Sequence, residues 1–241
     1  MSRLYVAGIG AGAYEDLTLA AAKRLAGSEI IIGYTLYCDL IRPFFPDKTF
    51  LTTAMTQEIE RCRMALELAA EGKEVTLICS GDAGIYGMAS PVLELAPSYG
   101  VEVVILPGVT AASSGAALLG SPITSDFAVI SLSDLLTPQE QILRRIEAAA
   151  AGGFCTVIYN PGSRRRTDQL RACCEIFLKH RPPETVCGVA RNISREGEAV
   201  RIMTLSELAA YPADMLTTVF IGNGDTRLID GRMVTLRGYR K

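Results

Sequence analysis

The sequence has no tryptophan and one histidine, His180, in 241 residues. A single imidazole excludes sites built from several histidines, as in most zinc hydrolases. The seven cysteines form no C-x-x-C pair, and their odd number and scattered spacing argue against a disulfide framework. No apolar run reaches the roughly 18–20 residues of a membrane span, and no signal-peptide core follows Met1. We therefore expect a soluble, cytoplasmic protein with reduced thiols, no bound metal and no membrane partner.

The sequence also lacks a strong excess of one charge. It has 24 Lys and Arg residues and 26 Asp and Glu residues, which give a net charge of −2. A protein that binds nucleic acid along its surface shows a broad basic field, so we expect no nucleic-acid partner. Hydrophobic residues make up 49% of the chain, which is enough to bury a core and excludes a disordered chain.

Short apolar runs alternate with helical patterns in the first half of the chain. Continuous Val and Ile runs between helices are typical of strands buried on both faces of a parallel sheet. Strands are predicted at residues 4–9, 29–33, 74–79 and 101–106. Helices are predicted at residues 16–26, 57–71 and 109–119, and after Gly87.

The pattern changes after Gly120, where strands follow one another more closely and with shorter links. This favours a mixed sheet with hairpins towards the C-terminus. We therefore predict an α/β protein of two α/β domains, residues 1–121 and 122–241, with a ligand cleft between them. The strands of the second half are predicted at residues 127–132, 154–159, 185–190, 199–204, 215–222 and 232–237, with helices at 138–151, 166–179 and 206–211.

Four glycine-bearing turns follow predicted strands, at residues 8–12, 80–84, 107–111 and 159–163. The carboxyl ends of parallel strands meet at one edge of a sheet, where ligands of open α/β sheets bind. Glycine there lets the backbone approach a ligand closely, so the turns predict an adenine- or phosphate-bearing ligand. NAD is disfavoured because the second strand ends at Gly33-Tyr34 without an acidic residue, and no P-loop motif occurs.

Together these turns resemble the motifs of the tetrapyrrole methylase family, enzymes that move methyl groups from S-adenosylmethionine onto precorrin rings. Residues 8–12 are similar to the family's Gly-x-Gly-Pro-Gly loop, with Ala11 in place of Pro. Residues 81–87 are similar to Gly-Asp-Pro-x-x-Tyr-Gly, with Ala83 in place of Pro, and Pro-Gly-Val-Thr-Ala is intact at 107–111. The resemblance covers essentially the whole chain and implies the two-domain fold of that family.

One branch of the family, the precorrin-3B C17-methyltransferases, is resembled most closely. Its long run is nearly complete at residues 126–138 (Asp-Phe-Ala-Val-Ile-Ser-Leu-Ser-Asp-Leu-Leu-Thr-Pro). Before this run the branch commonly carries His, whereas this chain has Ser125. A proton-transfer role for that His therefore does not apply, and His180, at a predicted helix end, is expected to be solvated.

The resemblance implies S-adenosylmethionine as cofactor and S-adenosylhomocysteine as product, held in the cleft between the domains. From the first domain it implies contacts through the glycine turns. These residues are Gly10, Ala11, Ser80, Gly81, Asp82, Ile85, Thr110 and Ala111. From the second domain it implies contacts through a turn and two strands. These residues are Asn160, Ala190, Arg191, Asn192, Thr217 and Thr218.

The resemblance also implies methylation at C17 of the tetrapyrrole, coupled to ring contraction. A contraction of this kind needs a base, for which the candidates are Asp82, Asp126, Asp134 and Glu196. Ser131 is a further candidate catalytic residue, whose hydroxyl is expected to orient the substrate. The substrate is a polyanion, and guanidinium groups pair with carboxylates in a bidentate manner. Arg164, Arg166, Arg195 and Ser133 are therefore candidate substrate contacts.

Alternatives remain open at this stage. Another precorrin methyltransferase, an RNA or protein methylase on the same fold, and a non-enzymatic nucleotide-binding module are each compatible with the glycine turns. The acidic balance and the run at residues 126–138 count against an RNA or protein substrate. The sequence does not decide between a metal-free and a cobalt-loaded tetrapyrrole. Family members are usually homodimers, so we expect a homodimer.

Overall fold

A computed structural model of the chain describes residues 2–163 and 167–239. Its contacts divide the chain into two compact units, one ending at Ala111 and the other beginning at Ala112. The boundary predicted at residue 121 lies at the end of the helix that opens the second unit, Ala111–Leu119. Each unit has its own sheet.

The first unit is an α/β layer structure with a parallel sheet in the strand order β3-β2-β4-β1-β5. Its strands are β1 (Arg3–Gly8), β2 (Ile30–Tyr34), β3 (Thr49–Thr53), β4 (Val75–Cys79) and β5 (Glu102–Leu106). Its helices are α1 (Leu19–Ala26), α2 (Thr35–Ile41), α3 (Glu58–Ala70) and α4 (Ala89–Leu95), with short 3-10 turns at Tyr14–Asp16, Arg42–Phe44 and Ala96–Tyr99.

Both faces of the first sheet are buried, because successive side chains of a strand point to opposite sides. Ile32 and Leu77 pack in one core with α3 and α4. Their neighbours Ile31 and Ile78 pack in another core with α1 and α2. This explains the continuous apolar runs, since a strand covered on both faces has no polar side.

The second unit contains a mixed sheet and a small additional sheet. Its helices are α5 (Ala111–Leu119), α6 (Gln139–Ala151), α7 (Gln169–Phe177) and α8 (Leu205–Leu208). Its strands are β6 (Gly120–Ser121), β7 (Phe127–Ser131), β8 (Cys155–Tyr159), β9 (Val186–Arg191), β10 (Ala199–Thr204), β11 (Thr217–Ile221), β12 (Thr226–Ile229) and β13 (Arg232–Thr235).

The mixed sheet has the strand order β10-β9-β11-β8-β7, in which the β7–β8 pair is parallel and the other pairs are antiparallel. One face packs against α6, α7 and α8 around Ile158, Phe177 and Val219. On the other face an added Cβ at Gly115 of α5 would lie 2.9 Å from the ring of Phe220. Helix α5 can therefore pack closely against that face because it carries small residues.

The small sheet joins β12, β13 and β6. Strands β12 and β13 form a hairpin whose turn, Asp230-Gly231, has positive φ at both residues (47° and 74°), the conformation favoured in two-residue hairpins. The mixed sheet and the C-terminal hairpin expected from the sequence are thus confirmed.

Candidate active site

Three glycine turns of the first unit meet at the carboxyl edge of its sheet. Gly10 and Gly81 exchange backbone hydrogen bonds, with N···O distances of 3.1 and 2.7 Å. An added Cβ at Gly108 would lie 2.1 Å from the carbonyl oxygen of Gly81, and one at Gly8 would lie 2.4 Å from the same oxygen. The turns can approach this closely only without side chains, which leaves an edge lined by backbone N–H and C=O groups.

Asp82 fastens two of these turns together. One carboxylate oxygen accepts the N–H of Gly84 at 2.8 Å, and the other accepts the N–H of Gly108 at 2.9 Å. The aspartate thus links the turn after β4 to the turn after β5. This geometry favours a positioning role for Asp82. Its predicted role as a base stays a prediction.

The other predicted residues of the first unit lie on the same turns. Ser80 directs its hydroxyl towards the carbonyl oxygen of Gly10, at 3.5 Å. Ala11 is buried, whereas the side chain of Ile85 is 39% exposed and stands clear of the core. Thr110 and Ala111, both half-buried, follow β5 at the start of α5. The structure therefore brings the predicted cofactor residues of this unit to one edge of its sheet.

In the second unit the mixed sheet also gathers its predicted residues at one edge. Strands β7, β8 and β9 end at this edge, and the antiparallel β11 begins there. Thr217 is paired with Arg191, and Thr218 with Ala190. The β8–β11 pairing, Val219 with Ile158, places the end of β8 beside the start of β11. Three separate segments of the sequence thus converge by strand pairing.

Ser131 and Asn160 form a direct contact at this edge. The side-chain amide of Asn160, which has a φ of 52°, donates to the hydroxyl of Ser131 at 2.9 Å. The backbone N–H of Ser133 donates to the same hydroxyl at 3.2 Å. A residue predicted for catalysis, one predicted for the cofactor and one predicted for the substrate therefore share one hydrogen-bond cluster.

Asp214 is a site residue that the sequence analysis missed. Its Oδ2 accepts Nε of Arg191 at 2.8 Å, while its Oδ1 accepts the hydroxyl of Thr217 at 2.8 Å and the N–H of Leu216 at 3.0 Å. Partial burial alone would raise the pKa of Asp214, but the hydrogen bonds from Thr217, Arg191 and Leu216 outweigh it and hold the pKa below its usual value. An aspartate three residues before a buried strand threonine was the available signal.

The remaining predicted residues lie elsewhere or are not described. Asp126 and Asp134 are exposed on either side of β7, and Arg195 lies in the turn between β9 and β10. Arg164 and Arg166 fall outside the described residues. His180 is exposed at the surface, as expected, and its Nε2 lies 2.5 Å from Oε1 of Glu147 on α6.

Across residues 2–163 and 167–239, no group of three His, Cys, Asp or Glu side chains is placed to hold a metal ion. Within the same ranges, no helix is both long and apolar enough to cross a membrane.

Comparison with known proteins adds independent evidence. A Salmonella typhimurium protein, described as a probable cobalt-factor III C(17)-methyltransferase, is 44% identical over 98% of this chain and 99% of its own length. A precorrin-3B C(17)-methyltransferase of Sinorhizobium sp is 37% identical over 94% of this chain and 91% of that protein. The crystal structure of the methyltransferase CobJ superimposes with a TM-score of 0.91 at 36% identity, covering 98% of this chain and 100% of CobJ.

Relatives differ in total length. This chain spans 45% of one curated relative and 99% of another. The sequence model of the tetrapyrrole (corrin/porphyrin) methylases matches residues 3–209, which include the glycine turns of the first unit and the Asn160 and Arg191 positions of the second. On this match, and on the similarity to its relatives over nearly the whole chain, the protein belongs to the tetrapyrrole methylase family.

Proposed function

We propose that this chain transfers a methyl group from S-adenosylmethionine to C17 of a tetrapyrrole at the precorrin-3 stage, with ring contraction, in cobalamin biosynthesis. The observation that carries the proposal is the 44% identity to the Salmonella typhimurium protein over nearly the full length of both chains. The run at residues 126–138, which resembles the C17-methyltransferases, supports the proposal. This run forms β7 and the segment after it, and it contains Ser131, which Asn160 contacts.

The described residues fit an adenosyl cofactor. The edge of adenine carries a hydrogen-bond donor and a hydrogen-bond acceptor. Backbone C=O and N–H groups beside small residues can pair with them. The glycine-packed edge of the first unit offers such groups, since no Cβ fits at Gly8 or Gly108. In the second unit Ala190 is buried and pairs with Thr218. The small side chain of Ala190 leaves main-chain groups available near the end of β9.

When bound, S-adenosylmethionine supplies an electrophilic methyl group on a sulfonium. The residues of this chain contribute binding and orientation, which can supply up to roughly 7–11 kcal/mol of the barrier in favourable cases. Among the carboxylates considered for proton transfer, Asp82 directs both oxygens to backbone N–H groups. Asp126 is exposed beside β7 and has no hydrogen-bond or ion-pair partner among the described residues, which favours it over Asp82 as the base.

We propose the cobalt-loaded tetrapyrrole as substrate, because the cobalt-factor III relative is 44% identical and the precorrin-3B relative is 37% identical. The test is turnover with both substrates, using isotopically labelled methyl groups, with the methylated carbon assigned by nuclear magnetic resonance. Label at C17 of the cobalt-loaded ring is the expected result. Label at another ring carbon would instead establish a different precorrin methyltransferase, and label in RNA or protein would overturn the proposal.

Arginine side chains account for binding of the polyanionic ring. The double variant Arg164→Ala and Arg166→Ala is expected to weaken tetrapyrrole binding about tenfold or more, because guanidinium–carboxylate pairs are among the stronger hydrogen bonds. Binding of S-adenosylhomocysteine should stay within about twofold of the unchanged chain. Calorimetric titration with each ligand is the measurement, and equal losses for both ligands would contradict the assignment.

The oligomeric state and the cellular location are also proposals. A homodimer is supported by the usual state of the family, and sedimentation would test it. A cytoplasmic location is supported by the seven thiols, which are free and buried and so suit a reducing compartment.

A further inference from the structure

The segment before β11 is tied to the end of β9 through one carboxylate. Asp214 accepts three hydrogen bonds, from Arg191, Leu216 and Thr217, at 2.8, 3.0 and 2.8 Å. The carbonyl of Leu216 in turn accepts the N–H of Asn192 at 3.1 Å. One side chain thus fixes both strands at the place where the predicted cofactor residues lie.

We propose that Asp214 is a positioning residue for S-adenosylmethionine, acting through Arg191 and Thr217. The inference rests on the proposed function, because it names a determinant of the same cofactor site. Neither the family motifs nor the resemblance pointed to this residue.

The geometry argues that Asp214 acts through its neighbours and not by contact with the ligand. Its Oδ1 already accepts two hydrogen bonds and its Oδ2 accepts one. By contrast, the terminal guanidinium nitrogens of Arg191 have no partner among the described residues, and 42% of that side chain is exposed. Arg191 is therefore held at Nε and presents its two remaining amino groups in a fixed direction.

Fixing that direction matters for affinity. An arginine side chain loses rotamer entropy when it is ordered. The Arg191–Asp214 pair orders it before a ligand arrives, so binding need not do so. Thr217 is held in the same way and is 3% exposed, which sets the register at which β11 begins beside Arg191.

The test compares Asp214→Ala, Asp214→Asn and a matched control. Glu102→Gln removes an ion pair of nearly the same geometry, Arg3 Nε to Glu102 at 2.7 Å with side chains 55% and 41% exposed, at the start of β5 and away from the glycine turns. For each protein the dissociation constants of S-adenosylhomocysteine and of the tetrapyrrole, the KM for S-adenosylmethionine, the kcat and the thermal midpoint are measured.

Asp214→Ala is expected to raise the dissociation constant and the KM for the cofactor about tenfold, with kcat within about twofold. Asp214→Asn keeps an acceptor for Leu216 and Thr217 but loses the charge that holds Arg191. The dissociation constant and the KM of Asp214→Asn for the cofactor should therefore rise about threefold, between the values of the unchanged chain and of Asp214→Ala. Glu102→Gln should leave the cofactor affinity unchanged.

Several outcomes would overturn the inference. Unchanged cofactor affinity in Asp214→Asn, which preserves the turn if Asp214→Ala does not fold, would do so. Equal losses of cofactor and tetrapyrrole affinity would assign Asp214 a general structural role. If the unchanged chain bound no S-adenosylhomocysteine, the proposed function would fall first and the positioning role with it.

Discussion

Two aspartates, Asp82 and Asp214, direct both carboxylate oxygens to the chain's own N–H and O–H groups. Each stands at a sheet edge where the sequence predicted ligand contacts. A carboxylate that accepts several hydrogen bonds is stabilised in its ionised form. At this scale the chain uses negative charge to hold neighbouring segments in place.

The close packing of the glycine turns gives a sharp residue-level prediction. A Cβ at Gly108 would lie 2.1 Å from the Gly81 carbonyl oxygen and 2.8 Å from the Cα of Gly8, so both turns must shift. Gly108→Ala should lower the free energy of unfolding by about 1–3 kcal/mol and abolish binding of S-adenosylhomocysteine. Denaturant titration and calorimetry measure the two effects.

The control for this variant is Gly224→Ala. No atom lies within 4 Å of a Cβ at Gly224, and its φ is outside the left-handed region. Its stability should change by less than about 1 kcal/mol. Equal losses in both variants would show that the glycine contacts at the sheet edge are not the cause.

The pKa of Asp214 predicts a pH dependence. The pKa of Asp214 is lower in the folded protein than its usual value of 3.8. The ionised carboxylate therefore stabilises the folded protein fully at pH values above the pKa of the unfolded chain. This stabilisation is lost as the pH falls through the lower, folded-state value. Thermal midpoints of the unchanged chain and Asp214→Asn should therefore differ most near neutral pH and converge as the pH falls below 3.8. A constant difference across this range would contradict the prediction.

At the scale of elements, the sequence predicted most strands, including the edge strands β5, β7 and β10, but missed β3, β6 and β12. Strand β4 is buried throughout and shows a continuous apolar run. Strand β3 lies at the edge of the sheet with mostly half-buried or exposed side chains, so its sequence, Thr-Phe-Leu-Thr-Thr, carries no such run. The exposed β12 and the two-residue β6 were missed for the same reason.

The observed start of a helix differs from the predicted start where a capping side chain determines it. The helix predicted from residue 16 begins at Leu19, because the Thr18 side chain accepts the N–H of Ala21 and residues Tyr14–Asp16 form a separate 3-10 turn. The role of Asp214 could not be predicted either. Its partner Arg191 lies 23 residues away and is brought near by strand pairing, which no local pattern encodes.

The C-terminal hairpin offers an element-level prediction. The hydroxyl of Thr235 lies 2.6 Å from the Pro122 carbonyl oxygen, 2.8 Å from the hydroxyl of Thr226 and 3.3 Å from the sulfur of Cys155. Thr235→Val leaves these groups buried without that partner and should cost about 1–3 kcal/mol of stability. Thr49→Val, on the exposed end of β3, is the control, and a similar cost there would refute the role of this cluster.

At the scale of the whole molecule, every cysteine is buried and free. Burial raises the pKa of Cys38, Cys62 and Cys79 to about 11 and that of Cys174 to about 12. These four thiols are therefore protonated as well as inaccessible at neutral pH, and thiolates are the reactive form.

A thiol titration tests this directly. In the native protein, dithiobis(nitrobenzoate) should react with fewer than about one thiol per chain within minutes. After denaturation it should react with all seven. Rapid reaction of one native thiol would show that a cysteine is accessible, and its position could be found by mass spectrometry.

The placement of β1 has a consequence for synthesis of the chain. Leu4 in β1 pairs with Val75 on one side and with Val103 on the other. At about 5–20 residues per second, β1 waits roughly 5–20 s after its own synthesis before both of its neighbours exist. During that interval its apolar side chains and unpaired backbone groups are open to other nascent chains, so β1 is a segment that a chaperone would protect.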